Sequence, residues 1–226
     1  MSCGILSVDD TVIDKPYSNP DKAELIDYFW SSKHKKSIKG LNLITLFYTD
    51  INKVCVPVNF RLIDKSIGKT KNEHFREMIN EVLTWGLQPA WITGDSWIAY
   101  LDNLKCVRHH TLSFMFAVKH NRLVSVEKGT YVQIQSLEVP VSGLKVYLKG
   151  FGFVKIFRTV FKDEYRNYIM CMPTPEEIDN LIYRIDPWFP RSNTEDIEHC
   201  SHSDFWEKSD FCRHYFTKRR NIATST

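Results

Sequence analysis

Two short apolar runs, each ending at an acid, constrain this chain more than any other feature. Gly4-Ile5-Leu6-Ser7-Val8 leads into Asp9 and Asp10, and Ala90-Trp91-Ile92-Thr93 leads into Gly94-Asp95-Ser96-Trp97. Runs of this length, bounded by polar residues or Gly, read as buried strands. Between them, residues 41–48 (LNLITLFY) and 54–63 (VCVPVNFRLI) are rich in β-branched and aromatic residues and flank a polar turn at 49–52, which predicts a hairpin. Pro57 has no N–H for a ladder, so it belongs at an edge or a bulge. Residues 71–85 predict a helix, because Phe75, Met78, Ile79, Val82 and Leu83 recur at three- and four-residue spacing and Gly86 follows as a stop. Residues 21–30 predict a short helix with Leu25, Ile26, Phe29 and Trp30 on its apolar face. A helix over 99–106 and a strand over 112–118 complete this part.

The resulting order is strand, hairpin, helix, strand with a terminal acid, helix, strand. It is the ribonuclease-H-like pattern, an α/β fold in which a mixed sheet carries flanking helices. The first strand and the strand after the main helix lie side by side in that pattern, so their acids meet at one rim of the sheet. Residues 1–121 are expected to form this core. From 122 to 173 the segments YVQIQ, LKVYL, FVKIF and YIM alternate apolar and polar residues, as half-exposed antiparallel strands do. They read as a β-rich insertion into the core, or else as a continuation of one mixed sheet. Residues 174–226 show no clean helix or strand period and are expected to be a divergent, weakly ordered tail. The chain opens directly on its first strand, which suggests that it begins inside a longer ancestral protein.

Charge decides little globally, since 30 Lys and Arg face 27 Asp and Glu for a net +3. Locally, residues 31–40 hold Lys33, His34, Lys35, Lys36 and Lys39 without one acid. Such a segment is either a solvated basic loop or a loop that contacts phosphates without reading sequence. The six cysteines are dispersed, with no C-x-x-C pair, and no secretory signal is visible. No run approaches the ~20 apolar residues of a membrane span. A reduced, cytoplasmic protein with no membrane partner is expected.

Carboxylates at strand ends are suited to phosphodiester chemistry. They can hold two hard cations about 4 Å apart, which activate the attacking oxygen and stabilise the leaving one. Asp9 and Asp95 fit by position. Read without that chemistry, Gly-Asp-Ser is a turn or helix cap, and Asp9-Asp10 a turn.

Longer stretches add to this. Residues 7–16 (SVDDTVIDKP), 27–30 (DYFW), 39–45 (KGLNLIT), 91–97 (WITGDSW) and 149–160 (KGFGFVKIFRTV) together resemble insertion-sequence transposases of the DDE superfamily, over about residues 4–173. The resemblance implies a ribonuclease-H-like catalytic core, DNA cleavage and strand transfer, Mg²⁺ or Mn²⁺ as cofactor, and double-stranded DNA at transposon ends as partner, and it leaves room for a homo-oligomer. Carried over by position, the first metal-binding acid is Asp9, two residues before Thr11, with Asp10 as the alternative in the doubled Asp, and the second is Asp95. Lys33, Lys35, Lys36 and Lys39 become candidate DNA contacts.

The family's third acid, a Glu on a helix in a Tyr, Arg, Glu, Lys pattern, has no counterpart. Glu176, Glu177, Glu195 and Glu198 are present without the expected amphipathic helix, and Glu198 followed by His199 is the nearest candidate. The match stops near Asp179, the signature of a frameshift or truncation. The expectation is a core that binds DNA without transposing it. Its rivals are a non-catalytic remnant that binds DNA or the full-length enzyme, and another nuclease of the same fold. In the tail, Cys200, His202, Cys212 and His214 are too closely spaced within each pair for a zinc knuckle. His109 and His110 follow a short helix and read as structural or exposed. Trp30, Trp85, Trp91 and Trp97 read as core aromatics rather than stacking platforms.

Overall fold

The computed structural model describes residues 2–19, 22–127, 129–161 and 164–173, which belong to one compact unit. In chain order these residues form β1 (Ser2–Asp14), β2 (Asp27–Ser31), β3 (Lys36–Thr49), β4 (Cys55–Leu62), α1 (Lys71–Thr84), β5 (Gln88–Gly94), α2 (Leu101–His109) and β6 (Ser113–Val118). They continue with β7 (Leu123–Ser125), β8 (Tyr131–Gln133), β9 (Leu144–Leu148), β10 (Gly152–Phe161) and β11 (Glu164–Cys171). All the strands join one mixed sheet in the order β2-β3-β1-β5-β6-β11-β10-β9-β7-β8, with β4 also on β3. β1, β5 and β6 run parallel, and the other pairings are antiparallel.

The expected hairpin is β3 with β4. Its turn is closed by the Asp50 carboxylate, which accepts from the Val54 N–H at 2.7 Å. Pro57 lies on a strand that pairs only with β3 and sits beside a register shift, so its missing N–H disturbs no inner ladder. α1 starts at a capping box in which Thr70 accepts from the Glu73 N–H and the Glu73 carboxylate accepts from the Thr70 N–H. Phe75, Met78, Ile79 and Val82 of α1 and Leu104 and Val107 of α2 are fully buried. They lie over Leu6, Val8, Ile44, Leu46, Ile92, Phe114 and Phe116, equally buried, which form the central core.

Two expectations need correction. Residues 22–30 are not a helix. Phe29 and Ser31 are buried while Tyr28 and Trp30 are exposed, so the stretch alternates with period two and pairs with β3 as β2. The apolar spacing that suggested a helix is met equally well by a short strand, and aromatic residues favour the strand. β1 does not stop at Val8 but continues to Asp14, because β3 offers it an unbroken ladder from Ile5↔Thr49 to Asp14↔Gly40. The β-rich strands β7–β11 join the same mixed sheet, since β11 hydrogen-bonds along β6. The tail from 174 onwards lies outside the described residues. No helix among the described residues is long and apolar enough to cross a membrane.

Candidate functional site

The site follows from strand register. β1 and β5 are parallel and in step up to Val8↔Gly94. The next residues are Asp9, still on β1, and Asp95, the first residue beyond β5. β5 ends at Gly94 while β1 continues, so the pair lies at the rim where β5 leaves the sheet. Gly94 is closely packed: a Cβ on it would meet the Ile98 Cδ1 at 2.3 Å, so that side chain would have to shift, and would stand tightly at 3.0 Å from the Val8 carbonyl oxygen.

Alternation along β1 resolves the doubled Asp. Leu6, Val8 and Asp10 lie on the face covered by α1 and α2, where Asp10 is ion-paired with Lys71 at the start of α1. Asp9 lies on the opposite face, paired across the sheet with Thr45. Asp95 is exposed and Asp9 half-buried. Asp10 is thus engaged with Lys71 on the helix-covered face, and Asp9 lies on the other face.

The same row continues through β6 to β11. Gly94 pairs with Phe116 and Tyr168 with Ala117, which brings Tyr168 to the Asp95 side of the sheet. Burial raises the Tyr168 phenol above its ordinary value. Arg166 opposes this by charge and hydrogen bond, the Asp95 carboxylate adds to the rise, and a hydrogen bond with Thr159 again opposes it. Tyr168 and Arg166 were not found from sequence, since strand residues far along the chain give no local signal of a shared row.

The basic segment is the tip of the β2–β3 hairpin together with the first residues of β3, not a free loop. Lys33, Lys35 and Lys36 are exposed and Lys39 is half-buried. His34 lies 2.9 Å from the Asp14 carboxylate. Six strand residues separate Lys39 from Thr45, the partner of Asp9, a distance of roughly 20 Å at ~3.3 Å per residue. Asp9 and Asp95 each follow the Val8↔Gly94 pair by one residue, and Lys39 lies far along β3 from Thr45.

Two adjacent carboxylates are hard oxygen donors of the kind Mg²⁺ or Mn²⁺ takes. Among the described residues no group of three or more His, Cys, Asp or Glu side chains comes together, so the donor set there stops at two. Glu176, Glu177, Glu195, Glu198, Cys200, His202, Cys212 and His214 lie outside the described residues. His109 is exposed, and His110 contacts the Asn80 carboxamide oxygen at 2.6 Å, away from the acids. Trp30 and Trp85 are 65% and 63% exposed, which corrects their reading as core aromatics, whereas Trp97 packs edge-on against Phe75.

No family model and no curated protein matches the chain. A solved structure that is similar is the NurA nuclease from Sulfolobus solfataricus, at 8% identity and a TM-score of 0.34, covering 100% of this chain and 87% of that one. That likeness is too distant to bear on the site.

Proposed function

We propose that the chain is a ribonuclease-H-like core of the DDE transposase kind, which binds DNA and holds a divalent cation between Asp9 and Asp95. Lacking a recognisable third acid, it does not carry strand transfer by itself. The observation that supports this most is the Val8↔Gly94 register, which pairs the residues just before the two acids where β5 leaves the sheet. The strand order β4-β3-β1-β5-β6, with β1, β5 and β6 parallel, is the order expected of such a core.

A divalent cation, when bound, supplies positive charge beside the scissile phosphate. The remaining work falls to the chain's own groups. A cation held between Asp9 and Asp95 would offset the charge of both carboxylates. Tyr168, protonated at neutral pH by its ordinary phenol pKa, which burial raises further, offers an O–H near Asp95. The lysines of the β2–β3 hairpin attract the phosphate backbone, an interaction that weakens steeply with salt. Losing one metal-holding acid costs ~3 kcal/mol or more in the barrier, roughly a hundredfold or more in rate.

Calorimetric Mn²⁺ titration tests the site: weak binding is expected in the native chain and none in Asp95→Ala. Unchanged binding in that variant would place the cation elsewhere. Mn²⁺-dependent strand transfer by the purified protein on a cognate element end would overturn the inactive reading. Loss of that activity in Glu198→Ala would show that the tail supplies the third acid.

A further inference from the structure

Three large aromatic side chains stand exposed on the face of the sheet that carries Asp9. Tyr28 and Trp30 are 57% and 65% exposed, and Phe60 is 62% exposed. Their register places them along one edge of β3, Trp30 and Tyr28 at one end and Phe60 roughly 20 Å away. Phe60 pairs with Thr45, which pairs with Asp9. Tyr28 pairs with Lys39 and Trp30 with Ser37, on the same alternate positions of β3 as Thr45. β2 and β4 share the outer edge of β3, β2 along Lys36–Gly40 and β4 along Leu43–Thr49. The three rings therefore mark one track along that edge, ending beside the carboxylate rim. Buried Phe29, on the opposite face of β2, fixes this orientation.

Exposed aromatic area of this kind is costly to leave in water and marks an interaction surface. Its charge identifies the partner. Lys33, Lys35, Lys36 and Lys39 border the track, residues 31–40 contain no acid, and the nearby Asp14 is engaged by His34. Flat rings with lysines clustered at one end suit a strand whose bases are unpaired, because every base has a face to stack and every linkage a phosphate. In a duplex the base faces are already stacked on each other. From Ser37 to Thr45 the track runs roughly 26 Å at ~3.3 Å per residue, about eight nucleotides at ~3.4 Å each.

We propose that Trp30, Tyr28 and Phe60 form a stacking track for single-stranded DNA, with the hairpin lysines on its phosphates, leading an unpaired strand toward Asp9 and Asp95. The choice of DNA rests on the proposed function, but the stacking does not require cleavage.

The test is fluorescence anisotropy of a labelled oligo-dT of about 20 nucleotides, titrated with the full chain in EDTA, so that cation binding at Asp9 and Asp95 plays no part. Trp30→Ala and Trp30→Leu should each weaken binding about tenfold, and Trp30→Phe should regain most of it. The salt dependence should stay the same in these variants and become shallower in Lys35→Gln/Lys36→Gln. A duplex of equal length should be nearly indifferent to Trp30. Native-like binding by Trp30→Leu would overturn the proposal, as would equal sensitivity of the duplex or tighter binding of oligo-U. So would a DNA-free dimer in sedimentation that Trp30→Ala abolishes, which would assign the track to a second copy. Should Trp30→Ala fail to fold, the comparison of Trp30→Phe with Trp30→Leu still decides. A positive result without Mn²⁺ binding would sink the carboxylate site and leave the track standing.

Discussion

The two faces of the central sheet are built from alternate residues of the same strands, yet they follow opposite chemistry. On one face Leu6, Val8, Ile44, Leu46, Ile92 and Phe116 disappear under α1 and α2, and its acid, Asp10, is ion-paired with Lys71. On the other face, Ser7, Asp9, Thr45 and Tyr168 put polar groups into the same strands, beside Asp95, with exposed rings at the edge. Neighbouring residues Asp9 and Asp10 thus have different roles because a strand sends them to opposite sides. The lesson is that apolar burial concentrates on one face, and the chemistry sits where burial is not needed for the fold.

If that division holds, the largest effect falls on the helix-covered face. Phe116→Ala, which removes a fully buried ring stacked on Phe114, should cost about 3–5 kcal/mol in urea unfolding. Thr45→Ala, in the Asp9 row, should cost under ~1 kcal/mol. Similar losses from both would erase the distinction between the faces.

The next comparison concerns the adjacent acids. Asp9→Asn should weaken Mn²⁺ affinity by roughly tenfold or more. Asp10→Asn should leave that affinity in place and lower stability by about 1 kcal/mol, through the partly exposed ion pair with Lys71. Calorimetry and thermal melts of the two variants read both effects, and a reversed pattern would assign the site to Asp10.

The smallest effect is a pH dependence of the covered face. His74 on α1 is buried, and neither ring nitrogen has a hydrogen-bond partner, although a Glu77 carboxylate oxygen lies 4.0 Å from Nδ1. Burial lowers its pKa below the ordinary 6.5, and Glu77 opposes the shift. The unfolded chain then takes up the proton first. This contribution to stability is complete above pH 6.5 and is lost as pH falls below that value. Melting temperature should drop between about pH 7.5 and about pH 5.5, and the drop should shrink in His74→Gln. An identical drop in the variant would assign it to other groups, such as His110, whose pKa is also lowered by burial and then by His109.

Much of the architecture was legible in the chain. The α1 stripe, the β3–β4 hairpin and the acid after β5 all carry local signals, because each element displays its own period or turn. The misreadings share one cause. Residues 27–31 fit either a helical stripe or a short strand, and only the ladder with β3 decides between them. β1 runs past Val8 into polar residues because β3 pairs with it there, a stabilisation invisible within β1 itself.

By itself, the sequence determined that two apolar runs end in acids, that a basic segment lies between them, and that a mixed α/β sheet is the fold class, since periodicity and turn chemistry are properties of neighbouring residues. Pairing between distant strands settled that Asp9 and Asp10 face opposite sides, that Tyr168 lies level with Ala117 beyond the Gly94↔Phe116 pair, and that Tyr28, Trp30 and Phe60 share the face of Asp9. Those facts depend on register between strands distant in the chain, and a slip of one residue would exchange the faces entirely.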